Sequence, residues 1–147
     1  MQGITQSVAP FALVLRALRW ALALASPVLG YVVSIVGSVF GASALRQFCP
    51  PELLVSGMCT AHWYASAELA AIAAFVALGA SLCVALPVAF APSHKHWVAL
   101  VAYAAGAIFV SVFTWQVGLS FWPPYAAALL LGGVTAAIAY ARHKNAV

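Results

Sequence analysis

The stretch YASAELAAIAAFVALGASLCVALPVAFA, Tyr64–Ala91, carries one charged side chain, Glu68. At about 1.5 Å rise per residue it makes a helix of about 42 Å, enough to cross hydrocarbon about 30 Å thick. It is apolar on every side and rich in Ala, Leu and Val. It therefore lacks the alternation of a barrel strand, and its backbone polar groups are best satisfied inside a helix. Three further runs repeat the pattern, Trp20–Ala44 before it and Trp97–Val117 and Pro124–Tyr140 after it. The last is near the lower limit of about 17 residues for a crossing.

Of the 147 residues, 66% are hydrophobic and 5% charged, a balance that a water-soluble body of this size cannot hide inside itself. The sequence predicts an all-α membrane protein over 1–147, a single transmembrane domain. Its spans are expected at 20–44, 64–91, 97–117 and 124–140, forming a four-transmembrane-helix bundle with short loops and one cysteine-bearing outer loop, 45–63.

The charges orient it. Arg16 and Arg19 precede the first span, Lys95 lies with His94 and His96 between the second and third, and Arg142 and Lys144 follow the fourth. Arg46 is the one basic residue expected on the other side, with Glu52. This bias predicts that both termini are cytoplasmic, with a bacterial inner membrane as the expected setting. The net charge of +4 then reports topology and gives no sign of nucleic-acid binding, because the basic residues are scattered singly. Arg16, Arg19, the first apolar run and Ala42-Ser43-Ala44 resemble a signal peptide, but about 22 apolar residues exceed the usual core of about 7 to 15. An uncleaved anchor is expected. Ahead of it, Gln2, Thr5, Gln6 and Ser7 give way to apolar residues at Val8. Two readings stand there, an interfacial segment opened by Pro10 or an extension of the first helix.

Small residues mark where helices touch. Ser26, Gly30, Ser34, Ser38 and Ala42 recur every four positions, and Gly37 with Gly41 forms a GxxxG pair beside them. Such a flat face permits close backbone approach. Packing inside the bundle is the favoured use of Gly30, Ser34, Gly37, Ser38 and Gly41, and a subunit interface is the alternative. Pro123 and Pro124 suit the opening of the fourth helix, Pro92 ends the second, and Pro27 and Pro87 are expected to be accommodated by neighbouring groups.

The outer loop holds Cys49 and Cys59. A structural disulfide closing this ring is expected, worth up to about 3 kcal/mol on the chain-entropy model. Thiol redox chemistry is less favoured without a CxxC spacing, and metal binding by Cys49, Cys59 and His62 lacks a fourth ligand. Glu68, the one acid within an apolar run, is a candidate by default. Its place near the start of a helix also fits a dipole cap or an ion pair with Arg46. If Arg46, His62, Glu68 and Gln116 converge, they form an outer polar pocket, with Trp63 and Trp115 as further ligand candidates. Trp20, Trp63, Trp97, Trp115 and Trp122 otherwise read as an interfacial belt, and Cys83 as a small apolar filler.

No His lies mid-span to hold a haem, and no nucleophile elbow, phosphate loop or HExxH occurs. With two acids in the chain, general acid/base hydrolysis has almost no candidates. No catalytic residue, metal site or cofactor is expected, and the leading function is non-enzymatic. That function is an integral membrane subunit or scaffold packing with itself, as a homo-oligomer, or with larger membrane partners. The alternative is a small transporter or a lipid-binding protein with an outer-leaflet pocket around Glu68. Membrane lipid is the expected small partner.

Overall fold

The computed structural model describes residues 8–118 and 122–144. Four helices fill most of it: α1, Val8–Arg46; α2, Tyr64–Phe90; α3, Lys95–Val117; and α4, Trp122–Lys144. All four are long and apolar enough to cross a membrane. They run alternately up and down, so the start of α1, the α2–α3 turn and the end of α4 share one end, called here the basic end. Arg16, Arg19, Lys95, Arg142 and Lys144 are there, and both acids, Glu52 and Glu68, are toward the opposite, loop end. The polar start at Gln2, Thr5, Gln6 and Ser7 lies outside the described residues, as do residues 119–121 of the α3–α4 link.

Of the two readings for the start of the chain, α1 shows the extended helix from Val8 onward. The helix is continuous for 39 residues, through Pro27, which makes it about 58 Å long. Pro27 has no N–H to give the carbonyl one turn back, at Ala23. The Ser26 hydroxyl donates to that carbonyl oxygen instead, at 3.0 Å, and Ser26 is 3% exposed. The sequence thus supplies its own repair beside the proline. From the other side, the Cys83 thiol on α2 donates to the Pro27 carbonyl at 3.3 Å.

Helix α2 is the hub. It packs most extensively on α1, next on α4 and less on α3, while α3 leans on α4. Contact of α1 with α3 and α4 is slight. Val84 and Val88 of α2, Ala99 of α3 and Ala136 of α4 form the buried core near the basic end, with Tyr103 against it. Apolar side chains such as Leu24, Val36, Val101 and Leu130 cover the outside. Water tolerates no apolar surface on that scale, and acyl chains do.

The outer loop carries one feature beyond the expected cysteines. After a 3-10 turn at Pro51–Leu53, strands β1, Leu54–Val55, and β2, Met58–Cys59, pair antiparallel, Leu54 with Cys59 and Val55 with Met58. Ser56 and Gly57, at φ 51° and 79°, make the two-residue reversal. Positive φ at both positions is the geometry of the hairpin turn whose twist matches its strands. Cys49 and Cys59 stand at disulfide distance with Cα atoms 6.0 Å apart, as the loop spacing predicted. Their pairing leaves His62 without the thiolates that a metal site there requires.

Candidate functional site

Two sides of α1 differ in what they meet. The small-residue face is pressed against α2. A Cβ added at Gly30 would stand 2.6 Å from Cys83 Sγ and 2.7 Å from the Gly79 carbonyl oxygen. Phe75 of α2 lies over Gly37 and Gly41, and Ser34 fills the space above Gly79. The Ser34 hydroxyl reaches the Phe75 carbonyl at 3.5 Å. Gly30, Ser34, Gly37 and Gly41 therefore serve the α1–α2 seam, the intramolecular use favoured from sequence. The Ser38 hydroxyl is buried without a hydrogen-bond partner.

The side of α1 turned toward α3 meets no such neighbour. A cavity of about 510 Å³ occupies the gap, in the half of the fold nearer the loop. Tyr31, Ile35, Val39 and Ala42 form its α1 wall, and Gly106, Phe109, Val110 and Phe113 its α3 wall. Ile72, Val76 and Ala80 of α2, with Ala128, Leu129 and Gly132 of α4, form the floor. Tyr31 and Phe109 approach across the gap edge to face, ring centroids 6.2 Å apart. On the open side Tyr31, Val39, Phe109 and Phe113 are exposed. The cavity is thus a cleft opening sideways, along the surface that an acyl chain would cover.

The chemistry of its wall is almost wholly apolar. No charged residue lines it. Most of its hydroxyls have partners within the protein: Tyr103 donates to the Leu129 carbonyl at 3.4 Å, Thr114 to the Val110 carbonyl at 2.8 Å, Ser34 to the Phe75 carbonyl at 3.5 Å, and Tyr125 pairs with Ser111 at 3.3 Å, whereas the lining Ser38 hydroxyl has none. An ionic guest would forfeit its hydration here with no charge to replace it.

The polar candidates lie elsewhere. Glu68 is half-buried in the second turn of α2 and lines no part of the cleft. Arg46, His62 and Gln116 are exposed, and Trp115 is 90% exposed. Trp63 is half-buried beside Tyr64, ring centroids 6.0 Å apart. Among the described residues no side-chain hydrogen bond or ion pair joins Arg46, His62, Glu68 or Gln116 to one another. The cleft was missed in the sequence because its α3 wall, from Ala102 to Thr114, reads as ordinary span. The one local signal is Gly106, where an added Cβ meets nothing within 4 Å.

Comparison with known proteins returns no matching family model, no matching curated protein and no matching solved structure.

Proposed function

We propose that this protein is a non-enzymatic, lipid-handling integral membrane protein that seats one lipid acyl chain in the cleft between α1 and α3. The cleft itself carries the reading: about 510 Å³ of apolar, side-opening space with no charge on its wall. That volume falls within the range of about 300–1,000 Å³ typical of small-molecule sites. The cleft runs beside about three turns of α1 and is lined by aliphatic and aromatic side chains, which suits a chain of methylenes. The subunit reading relied on small-residue faces, and the one on α1 is taken up by α2, which withdraws that support. The absence of charge likewise favours a lipid tail over an ion as the guest, and moves the pocket of the lipid-binding alternative away from Glu68. Positive-inside bias supports an orientation with the basic end cytoplasmic and the cleft in the outer leaflet.

Photo-crosslinking tests this. Phosphatidylcholine bearing a diazirine on its acyl chain is incorporated into bilayers with the full chain. Adducts should concentrate on Tyr31, Ile35, Phe109 and Phe113, and Gly106→Phe, which grows into open space, should abolish that concentration. Labelling spread evenly over all outward faces, unchanged by Gly106→Phe, would overturn the proposal.

A further inference from the structure

A second cavity, of about 300 Å³, opens at the basic end between the end of α2, the first residue of α3 and the last turns of α4. Its composition differs sharply from that of the cleft. Lys95, Arg142 and His143 line it beside Ala85, Ala89 and Ile138. Three nitrogen-bearing side chains thus share a small space with an aliphatic wall that continues toward the middle of the helices.

Among the described residues none of Lys95, Arg142 and His143 makes a side-chain hydrogen bond or ion pair. Neighbouring basic groups are already occupied: Lys144 sits 5.6 Å over the Tyr140 ring, and His96 packs edge-on against the same ring at 6.0 Å. The chain has two acidic side chains, and both are toward the loop end. No Asp or Glu can therefore neutralise Lys95 and Arg142, and two cations lining one cavity favour an external anion. Arg142 offers a planar fork suited to two oxygens of a phosphate, and Lys95 a point charge.

We propose that this cavity binds the phosphate of an anionic phospholipid, with the phosphodiester held by Lys95 and Arg142 and an acyl chain along Ala85, Ala89 and Ile138. The phosphate chemistry alone would fit a free anion as well. The aliphatic wall assigns the lipid, because a basic pocket between helices at the membrane surface offers a charged mouth and a greasy throat at once. His143 extends the donor set on the α4 side.

Native mass spectrometry of the full chain in mild detergent separates the possibilities, with phosphatidylglycerol and phosphatidylcholine of matched acyl chains as probes. Phosphatidylglycerol should be retained about thirty-fold better, on the basis of two basic contacts with a headgroup whose phosphodiester, unlike that of phosphatidylcholine, has no cation of its own beside it. Lys95→Gln combined with Arg142→Gln should remove the preference. Arg16→Gln with Arg19→Gln, which subtracts the same charge from the same end without touching the cavity, should preserve it. Ile138→Trp, on an exposed position, should weaken retention of phosphatidylglycerol with every charge intact, and thermal melting checks that each variant is folded. Equal retention of the two lipids, or equal loss in the two charge-removed pairs, would overturn the proposal. Inorganic phosphate displacing phosphatidylglycerol at millimolar concentration would assign the site to the free anion and overturn it too. Crosslinking in the α1–α3 cleft uses a zwitterionic lipid and other residues, so failure of either site leaves the other standing.

Discussion

The α1–α2 seam and the α1–α3 gap are built on one helix, about a quarter-turn to a half-turn apart, and they have opposite fates. At the seam Gly30, Gly37 and Gly41 leave no room for a methyl group. At the gap Ile35 and Val39 look into a cleft of about 510 Å³, and Tyr31 reaches across it to Phe109. In hydrocarbon no solvent force pulls helices together, so contact depends chiefly on close packing and interhelical hydrogen bonds. On α2 the flat face of α1 finds Gly79 and Phe75 at matching heights and closes, whereas toward α3 a few large side chains stand among small ones, Ala42 on one wall and Gly106 on the other, and leave volume unfilled. A four-helix chain can therefore be tightly packed on one side of a helix and carry a cleft on another.

The strongest way to break this contrast is to roughen the flat face. Gly30→Leu would drive its Cβ to 2.7 Å from the Gly79 carbonyl and 2.8 Å from the Cys83 amide nitrogen, backbone atoms that cannot swing aside. Overpacking costs about 1–3 kcal/mol where side chains can yield and more where they cannot. We expect a loss above about 3 kcal/mol, seen as a collapse of the melting transition and of the monodisperse peak in detergent. Retention of wild-type melting would mean that the seam is not closed.

The disulfide sharpens the comparison from the loop end. Cys49–Cys59 stiffens the hairpin joining α1 to α2, the pair that is already sealed, and has no counterpart between α1 and α3. Cys49→Ser with Cys59→Ser should cost up to about 3 kcal/mol by releasing loop entropy in the unfolded chain. Reductant should act in the same direction on the wild type. Acyl-chain labelling in the cleft should be unchanged, because no loop residue lines it. A fall in labelling that matches the fall in melting temperature would show the two regions to be coupled.

How much of this was legible in the sequence follows from what each feature depends on. The four helices were legible because lipid leaves the backbone no other partner, and Glu68 is the one charge that intrudes on the second run. The start of α1 was not, since Val8–Arg19 suits a continuous helix and a surface segment equally, and only the observed continuity distinguishes them. The small face of α1 was readable as a contact, yet its use against α2 depended on Gly79 and Phe75 meeting it at the right height. Ser56-Gly57 was a hairpin signal hidden by strands two residues long. Glu68, Arg46, His62 and Gln116 drew attention because polar residues are rare here. The cleft is instead an absence of side-chain volume among abundant alanines, and sequence spacing does not register a void. The basic cavity was half legible: the charge bias put Lys95 and Arg142 at one end, but only the fold brings them to one cavity.

The subtlest test changes one hydrogen to one methyl on each side of the contrast. Gly30→Ala meets Cys83 and Gly79, whereas Gly106→Ala, on the α3 wall, meets nothing within 4 Å. A glycine inside a helix ordinarily costs about 1 kcal/mol relative to alanine, because the backbone surrenders more freedom on ordering. Gly106→Ala should therefore be neutral to stabilising by up to about 1 kcal/mol, while Gly30→Ala should destabilise by about 1–3 kcal/mol. Melting curves of the two variants in the same detergent give the sign directly. If Gly106→Ala destabilises as much as Gly30→Ala, α3 lies closer to α1 than the cleft permits, and the difference between the two sides of α1 disappears.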